Sequence, residues 1–205
     1  MPKKEAPISQ LQDYLPPGTY EPVLQYLRVH KVHLTVARER KSILGDYRHR
    51  TSNDHHRISV NGNLNPYSFL ITLLHELAHL LTFEQYGNRV SSHGKEWKGI
   101  YSTILASFLQ QHIFPDDIKK ELMQSLQNPA ASTCAEDALL RVLRKYDAKE
   151  SQHRLVEEIA TNGLFRTSDG RIFQRGIQLR KRYKCQEVKT GKIYLFSPVY
   201  EVEMM

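Results

Sequence analysis

An α+β fold is what the sequence predicts: a helical domain built on a small three-stranded sheet, followed by a small β-rich module. Three observations carry it. Short runs between residues 32 and 60 alternate apolar and polar, the period of half-buried strands. A capped apolar run from Asn65 to Gly87 reads as one long helix. From Leu155 onward, brief apolar runs are punctuated by Asn162-Gly163, Asp169-Gly170 and Thr190-Gly191, which are turn signals. At 205 residues and 40% apolar content the chain can hold one compact domain and a small second one. Asn128-Pro129-Ala130-Ala131-Ser132 reads as a linker, so the expected domains are residues 1–129 and 130–205.

Taken in order, residues 8–30 read as two short helices broken at Pro16-Pro17-Gly18, the second capped by Thr19. Val32, Leu34 and Val36 alternate with His33 and Thr35 as a first strand; residues 43–49 and 56–60 are two more, and Asn61-Gly62-Asn63 is a turn. Asn65-Pro66 then starts a helix, with a capping side chain followed by proline at the first helical position. Phe69, Leu70, Leu73, Leu74, Leu77, Leu80 and Leu81 recur at helical spacing until Gly87-Asn88. A further helix runs from about Lys95 to Gln111, and Asp116-Asp117 begin another with acidic residues at its positive end. Thr133-Cys134-Ala135-Glu136 is a capping box opening a helix through Leu139, Leu143 and Tyr146.

The chemistry sits in the long helix, where residues 75–79 read His-Glu-Leu-Ala-His. Positions four apart on a helix differ by about 40° of rotation, so His75 and His79 point the same way one turn apart. Two imidazoles so placed can take two corners of a zinc tetrahedron. Glu76 lies beside that metal, poorly placed as a ligand but well placed as a base acting on water. With 10 His and 14 Glu in the chain, shuffling produces the pattern about 0.03 times per sequence, so accident is a weak explanation. Three strands followed by a helix bearing this motif suit a minimal zincin-like unit, whose edge strand can line the cleft and pair with a substrate backbone. His55, His56 and Arg57 would flank that edge as solvated residues rather than as substrate contacts.

A zinc enzyme usually has three protein ligands and an open position. Glu84 is five residues past His79, about 140° further round the helix, and faces away. Glu96 and His93 are both candidates; Gly94 beside His93 allows close backbone approach, and the helix that follows would hold that corner rigid. An oxyanion donor is also required, with Tyr67, Tyr86 and Tyr101 as equal candidates.

His75-Glu76-Leu77-Ala78-His79-Leu80-Leu81, Tyr86-Gly87 and His93-Gly94-Lys95-Glu96-Trp97-Lys98 resemble the SprT-like metalloproteases, relatives of eukaryotic Spartan. Ile43-Leu44-Gly45-Asp46-Tyr47-Arg48 and Arg57-Ile58-Ser59-Val60-Asn61 resemble that family's strands before the active-site helix, so the likeness covers roughly residues 10–110. The resemblance implies His75, His79 and His93 as ligands of one zinc ion per chain and Glu76 as catalytic base. It also implies a protease acting on DNA-associated proteins, including DNA–protein crosslinks. The rival expectation is a DNA-associated zinc-binding protein without proteolytic activity.

Many such proteins end in a zinc ribbon with two cysteine pairs. Here Tyr183-Lys184-Cys185 is similar to the start of the second pair, but Val188 stands where its partner would be. One thiol cannot hold a four-ligand zinc, so a ribbon-like β module held by packing is expected, with Cys185 a buried small residue. Cys134 and Cys185 do not make a disulfide framework, and no apolar run approaches the roughly 20 residues that span a bilayer. The N-terminal basic residues lack an apolar region behind them. A cytoplasmic setting with reduced thiols and no membrane partner is the expectation.

The net charge of +7 is local: residues 163–192 hold nine Lys/Arg against Asp169 and Glu187. Arg180, Lys181, Arg182 and Lys184 are the candidate contacts to a DNA backbone, read without base specificity.

Overall fold

The computed structural model describes residues 7–40, 43–50, 55–126, 129, 136–147 and 153–205. They form two units, residues 1–146 and 147–205. Apart from Pro129, the expected linker at 128–132 lies outside the described residues, as does most of the expected capping box.

The first unit opens with a 3-10 segment (Ile8–Tyr14) and helix α1 (Tyr20–Val29). Thr19 precedes α1, but its hydroxyl donates back to the Pro16 carbonyl at 2.7 Å and does not cap the helix. Strands β1 (Val32–Ala37), β2 (Gly45–Arg48) and β3 (His56–Asn61) form a sheet in the order β1-β3-β2. β1 runs parallel to β3, with Leu34 beside Ile58; β2 runs antiparallel to β3, with Tyr47 beside Ile58. β3 is therefore central, and among the described residues β2 is an edge strand.

Helix α2 (Pro66–Tyr86) begins as its sequence requires: the Asn65 side chain accepts from the Ser68 N–H at 2.9 Å. It ends at Gly87, whose φ of 62° is in the left-handed region that glycine adopts without strain. Nearly every side chain from Ser68 to Ala78 is buried, because α2 lies against β2 and β3 on one side and helix α3 (Lys95–Leu109) on another. Phe69, Leu70, Leu73, Leu74, Leu77, Leu80, Trp97 and Phe108 form the core, each fully buried side chain contributing about 1.5–3 kcal/mol.

Helices α4 (Asp116–Ser125) and α5 (Asp137–Arg144) complete the unit. The sequence assigned α5 to a C-terminal domain starting at residue 130; in the structure Leu139 and Leu143 join the first core. Asn65 Nδ2 also donates to the Leu143 carbonyl, and the Tyr146 hydroxyl to Asp117 Oδ1. Eight residues with one apolar stripe cannot make a core alone, so α5 takes the nearest one available.

The second unit is a six-stranded antiparallel sheet: β4 (His153–Leu155), β5 (Leu164–Arg166), β6 (Ile172–Leu179), β7 (Arg182–Glu187), β8 (Ile193–Phe196) and β9 (Glu201–Met204), in the order β4-β9-β5-β6-β7-β8. This is the β-rich module expected. Val156, Ile159, Phe165, Phe173, Tyr183, Cys185 and Val202 pack on one side. Cys185 is buried and free, as its apolar neighbours suggested. The Asn162, Gly170 and Gly191 turns all carry positive φ.

Candidate metal centre

One helical turn along α2 places His75 and His79 side by side, and the loop after Gly87 brings His93 back to them from the start of α3. His75 Nε2 lies 3.2 Å from His79 Nε2 and 3.3 Å from His93 Nε2. Among the described residues these three are the group whose donor atoms converge tightly enough to hold a metal ion. Four ligands at the zinc–nitrogen distance of about 2.0–2.1 Å would be separated by about 3.3 Å, so the two spacings fit a tetrahedral ion. Trp97 packs under all three imidazoles, with ring centroids 4.7 Å from His75, 5.3 Å from His79 and 4.7 Å from His93. Tyr101 stacks on that indole at 5.1 Å and also touches His75, at 5.8 Å between ring centroids.

Electrostatics keep the three rings neutral. Burial pushes His75 down to about 3, reinforced by His79 and His93, and takes His79 down to about 4, reinforced by His93. Burial also lowers His93, with Lys98 adding to the effect. Neutral imidazole is the form that offers a lone pair to a metal.

Glu76 is buried beside the triad and lines the same cleft of about 690 Å³. Burial, with Asp46 adding to it and Arg40 opposing both, raises its carboxyl to about 8. A cation at the triad would also draw it back toward the carboxylate. The opposite wall is β2. A Cβ on Gly45 would lie 2.6 Å from Glu76 Oε1 and 2.7 Å from Thr72 Cγ2, so only glycine lets the strand approach this closely. Arg40 and the buried Asn61 hold that wall in place. Arg40 donates to Asn61 Oδ1 at 2.8 Å and Ser59 Oγ at 2.9 Å; Asn61 Nδ2 donates to the carbonyls of Arg40 and Ile43.

Several residues read from sequence alone fall elsewhere. Glu96 stands outside the converging group, its carboxylate 3.9 Å from Lys95 Nζ. Glu84 faces away, as its rotation required, and accepts from or pairs with His30 Nδ1 at 2.7 Å. His56 was expected as a solvated residue flanking an edge; it is fully buried on the central strand, its Nδ1 2.9 Å from the Tyr47 hydroxyl. His55 and Arg57 are exposed. None of Tyr67, Tyr86 and Tyr101 lines the cleft; Tyr67 packs on Tyr146 and Phe114 instead. Tyr47, which sequence reasoning passed over, does line it. The one signal for Tyr47 was its place two residues after Gly45 on the strand before the motif.

In the second unit, Arg182 and Lys184 share the exposed face of β7 while Tyr183 and Cys185 point into the core. Arg180, at φ 50°, and Lys181 form the exposed turn leading into that strand.

The SprT-like family model matches residues 19–119. The protein SprT of Vibrio parahaemolyticus serotype O3:K6 (strain RIMD 2210633) is 49% identical over 41 residues, a stretch covering 20% of this chain and 24% of that protein. No solved structure gives a significant match. Among the described residues no helix is long and apolar enough to cross a membrane.

Proposed function

The chain belongs to the SprT-like family through residues 19–119, and from that premise we propose that it is a zinc-dependent endopeptidase acting on DNA-associated proteins. Family membership points to a metalloprotease-type function; zinc, peptide hydrolysis and DNA are the finer reading. The observation that carries it is the convergence of His75, His79 and His93 at tetrahedral spacing beside a buried carboxylate in an open cleft.

His75, His79 and His93 would hold the ion through Nε2. A zinc ion there supplies Lewis acidity, acidifying water and polarising a carbonyl oxygen. Glu76, held against Gly45, takes the proton from the attacking water on its carboxylate and returns it to the leaving amine. Its buried site makes it a stronger base than a solvated glutamate. A site that only held a structural metal would have no use for this carboxylate, which favours an enzyme over a non-proteolytic zinc-binding protein. The test is digestion of an unfolded protein substrate by the purified zinc-loaded chain, with and without DNA; no cleavage in either condition would leave the binding-protein reading.

Gly45→Ala probes the cleft wall. The added methyl must displace Glu76 or Thr72, and misplacing a catalytic group by about 1 Å can cost on the order of 10²-fold in rate. Turnover should drop by that order while zinc content stays at the wild-type level. Full activity in this variant would show that β2 does not position Glu76.

The DNA reading rests on the basic turn and strand at residues 180–184. Its sequence-independent contacts would be to phosphates, so affinity should fall steeply with salt. Reversing Arg180, Lys181 and Arg182 to Glu should weaken binding to all sequences alike and flatten the log–log salt slope by about 0.9 per lost contact. Cleavage of DNA-bound protein should fall with it, because tethering raises the effective concentration of enzyme at its target. Unchanged affinity in a filter-binding titration would refute the patch assignment.

A further inference from the structure

The cleft wall opposite Glu76 is backed by a file of polar groups that the protease reading does not use. Tyr47 on β2 lines the cleft, and its hydroxyl lies 2.9 Å from Nδ1 of His56 on β3. The two rings are near-parallel, 5.8 Å apart at 20°, because Tyr47 pairs with Ile58 and His56 is the next residue on the same face. His56 is fully buried, and its Nε2 has no hydrogen-bond partner within normal distance. The group facing it is Glu84 Oε1, at 3.6 Å. Glu84 is fixed from its other side, where Oε2 lies 2.7 Å from His30 Nδ1 at the end of α1. Phe83 closes the apolar side of His56, edge-on at 6.1 Å.

This arrangement sets the direction of the hydrogen bond between Tyr47 and His56. Burial lowers the pKa of His56, so the ring is neutral and carries one proton. A carboxylate facing Nε2 favours the tautomer with that proton on Nε2. Nδ1 is then an acceptor, and the neighbouring phenol must donate to it. Burial and the Glu84 carboxylate raise the Tyr47 pKa, so the phenol keeps its proton to give. A Tyr47 hydroxyl that gives its proton to His56 has only lone pairs left for a group in the cleft that reaches it.

We propose that Tyr47 is a substrate-binding residue whose hydroxyl oxygen accepts a hydrogen bond from a backbone N–H of the bound peptide, with His56 and Glu84 as the positioning residues that fix its direction. The assignment rests on the endopeptidase reading for its substrate, but the tautomer that underlies it does not. An acceptor at this wall selects an amide-bearing chain and fixes its register along β2. It also explains a buried histidine, a costly group on a central strand, by the hydrogen bond it holds at the cleft surface.

The experiment uses the full zinc-loaded chain and a synthetic peptide substrate. Tyr47→Phe keeps the ring and removes the hydroxyl. It should raise KM by about 3- to 10-fold, as loss of a neutral hydrogen bond made equally in ground and transition states would, with kcat and zinc content unchanged. A set of depsipeptides, each with one non-scissile N–H replaced by ester oxygen, should contain one member for which Tyr47→Phe and wild type have equal KM. Nitrogen-15 spectra of the wild-type protein should show the His56 proton on Nε2, and Glu84→Gln should shift it toward Nδ1 while raising KM. A proton on Nδ1 in the wild type would overturn the proposal, as would an unchanged KM, a loss in kcat alone, or no equalising depsipeptide. If instead the zinc-loaded wild-type chain cleaved no peptide, the protease reading would fall while the nitrogen-15 result still reported the tautomer.

Discussion

Glu76→Gln should lower kcat by about three orders of magnitude, within the 10²–10⁴-fold range for removing a positioned general base, while zinc content stays at one ion per chain. The two effects separate because Glu76 lies beside the metal group and not in it: the converging atoms are the three imidazole nitrogens. Glutamine has the same shape and fits the space against Gly45, so folding should be unaffected and the melting temperature preserved. KM should change little, since the role proposed for the carboxylate is on water and not on the bound chain. Turnover within tenfold of wild type would remove Glu76 from the mechanism. Loss of zinc in this variant would mean the carboxylate is a ligand.

The second large effect is on the metal. His93→Ala should reduce bound zinc from one per chain to a small fraction, because two imidazoles and solvent make a much weaker site than three imidazoles. Activity should vanish with it. His93 sits at the end of the loop after α2 and is only partly buried, so the metal-free variant should fold as stably as metal-free wild type. Glu96→Ala is the matched control and should keep its zinc, since Glu96 does not converge with the other donors. Elemental analysis after dialysis reads both. Full zinc in His93→Ala together with loss in Glu96→Ala would reverse the ligand assignment. His75→Ala and His79→Ala should behave as His93→Ala does, with a further stability cost for His75, which is packed against Trp97 and Tyr101.

The parts of the fold that could be read from sequence were those written in local periodicity. α2 was legible because Asn65-Pro66 and Gly87 mark its ends and its apolar residues repeat at helical spacing. The pairing of His75 with His79 followed from that helix, since residues four apart on one helix are neighbours whatever surrounds them. The β-rich second unit was legible from its turn pairs, where Asn162, Gly170 and Gly191 adopt positive φ. His93 was different: the choice between it and Glu96 depends on where a loop returns, and the resemblance to a family rather than any periodicity pointed to histidine.

His56 marks where local reading fails. A run of His-His-Arg beside a strand has the composition of a solvated edge. Its burial depends on β1 pairing parallel to β3 from one side and β2 antiparallel from the other, and on Glu84 arriving from a helix turn more than 20 residues away in sequence. α5 was placed with the wrong unit for the same reason: its apolar stripe says that it packs, but not on what. Gly45 and Tyr47 lie on a four-residue strand too short to show a period, so nothing local announced that one makes room for Glu76 and the other faces the cleft.

By itself, then, the sequence determined which helix carries the paired histidines, which carboxylate stands beside them, and that a basic β module follows. These are properties of rotation per residue, of capping and of turn chemistry, and they act over a few residues. Only the tertiary structure decided the third imidazole, the wall formed by Gly45 and Tyr47, and the buried file from Tyr47 through His56 to Glu84 and His30. Those depend on distances between atoms far apart in the chain, which are set when α2 packs between the sheet and α3 and the sheet takes the order β1-β3-β2.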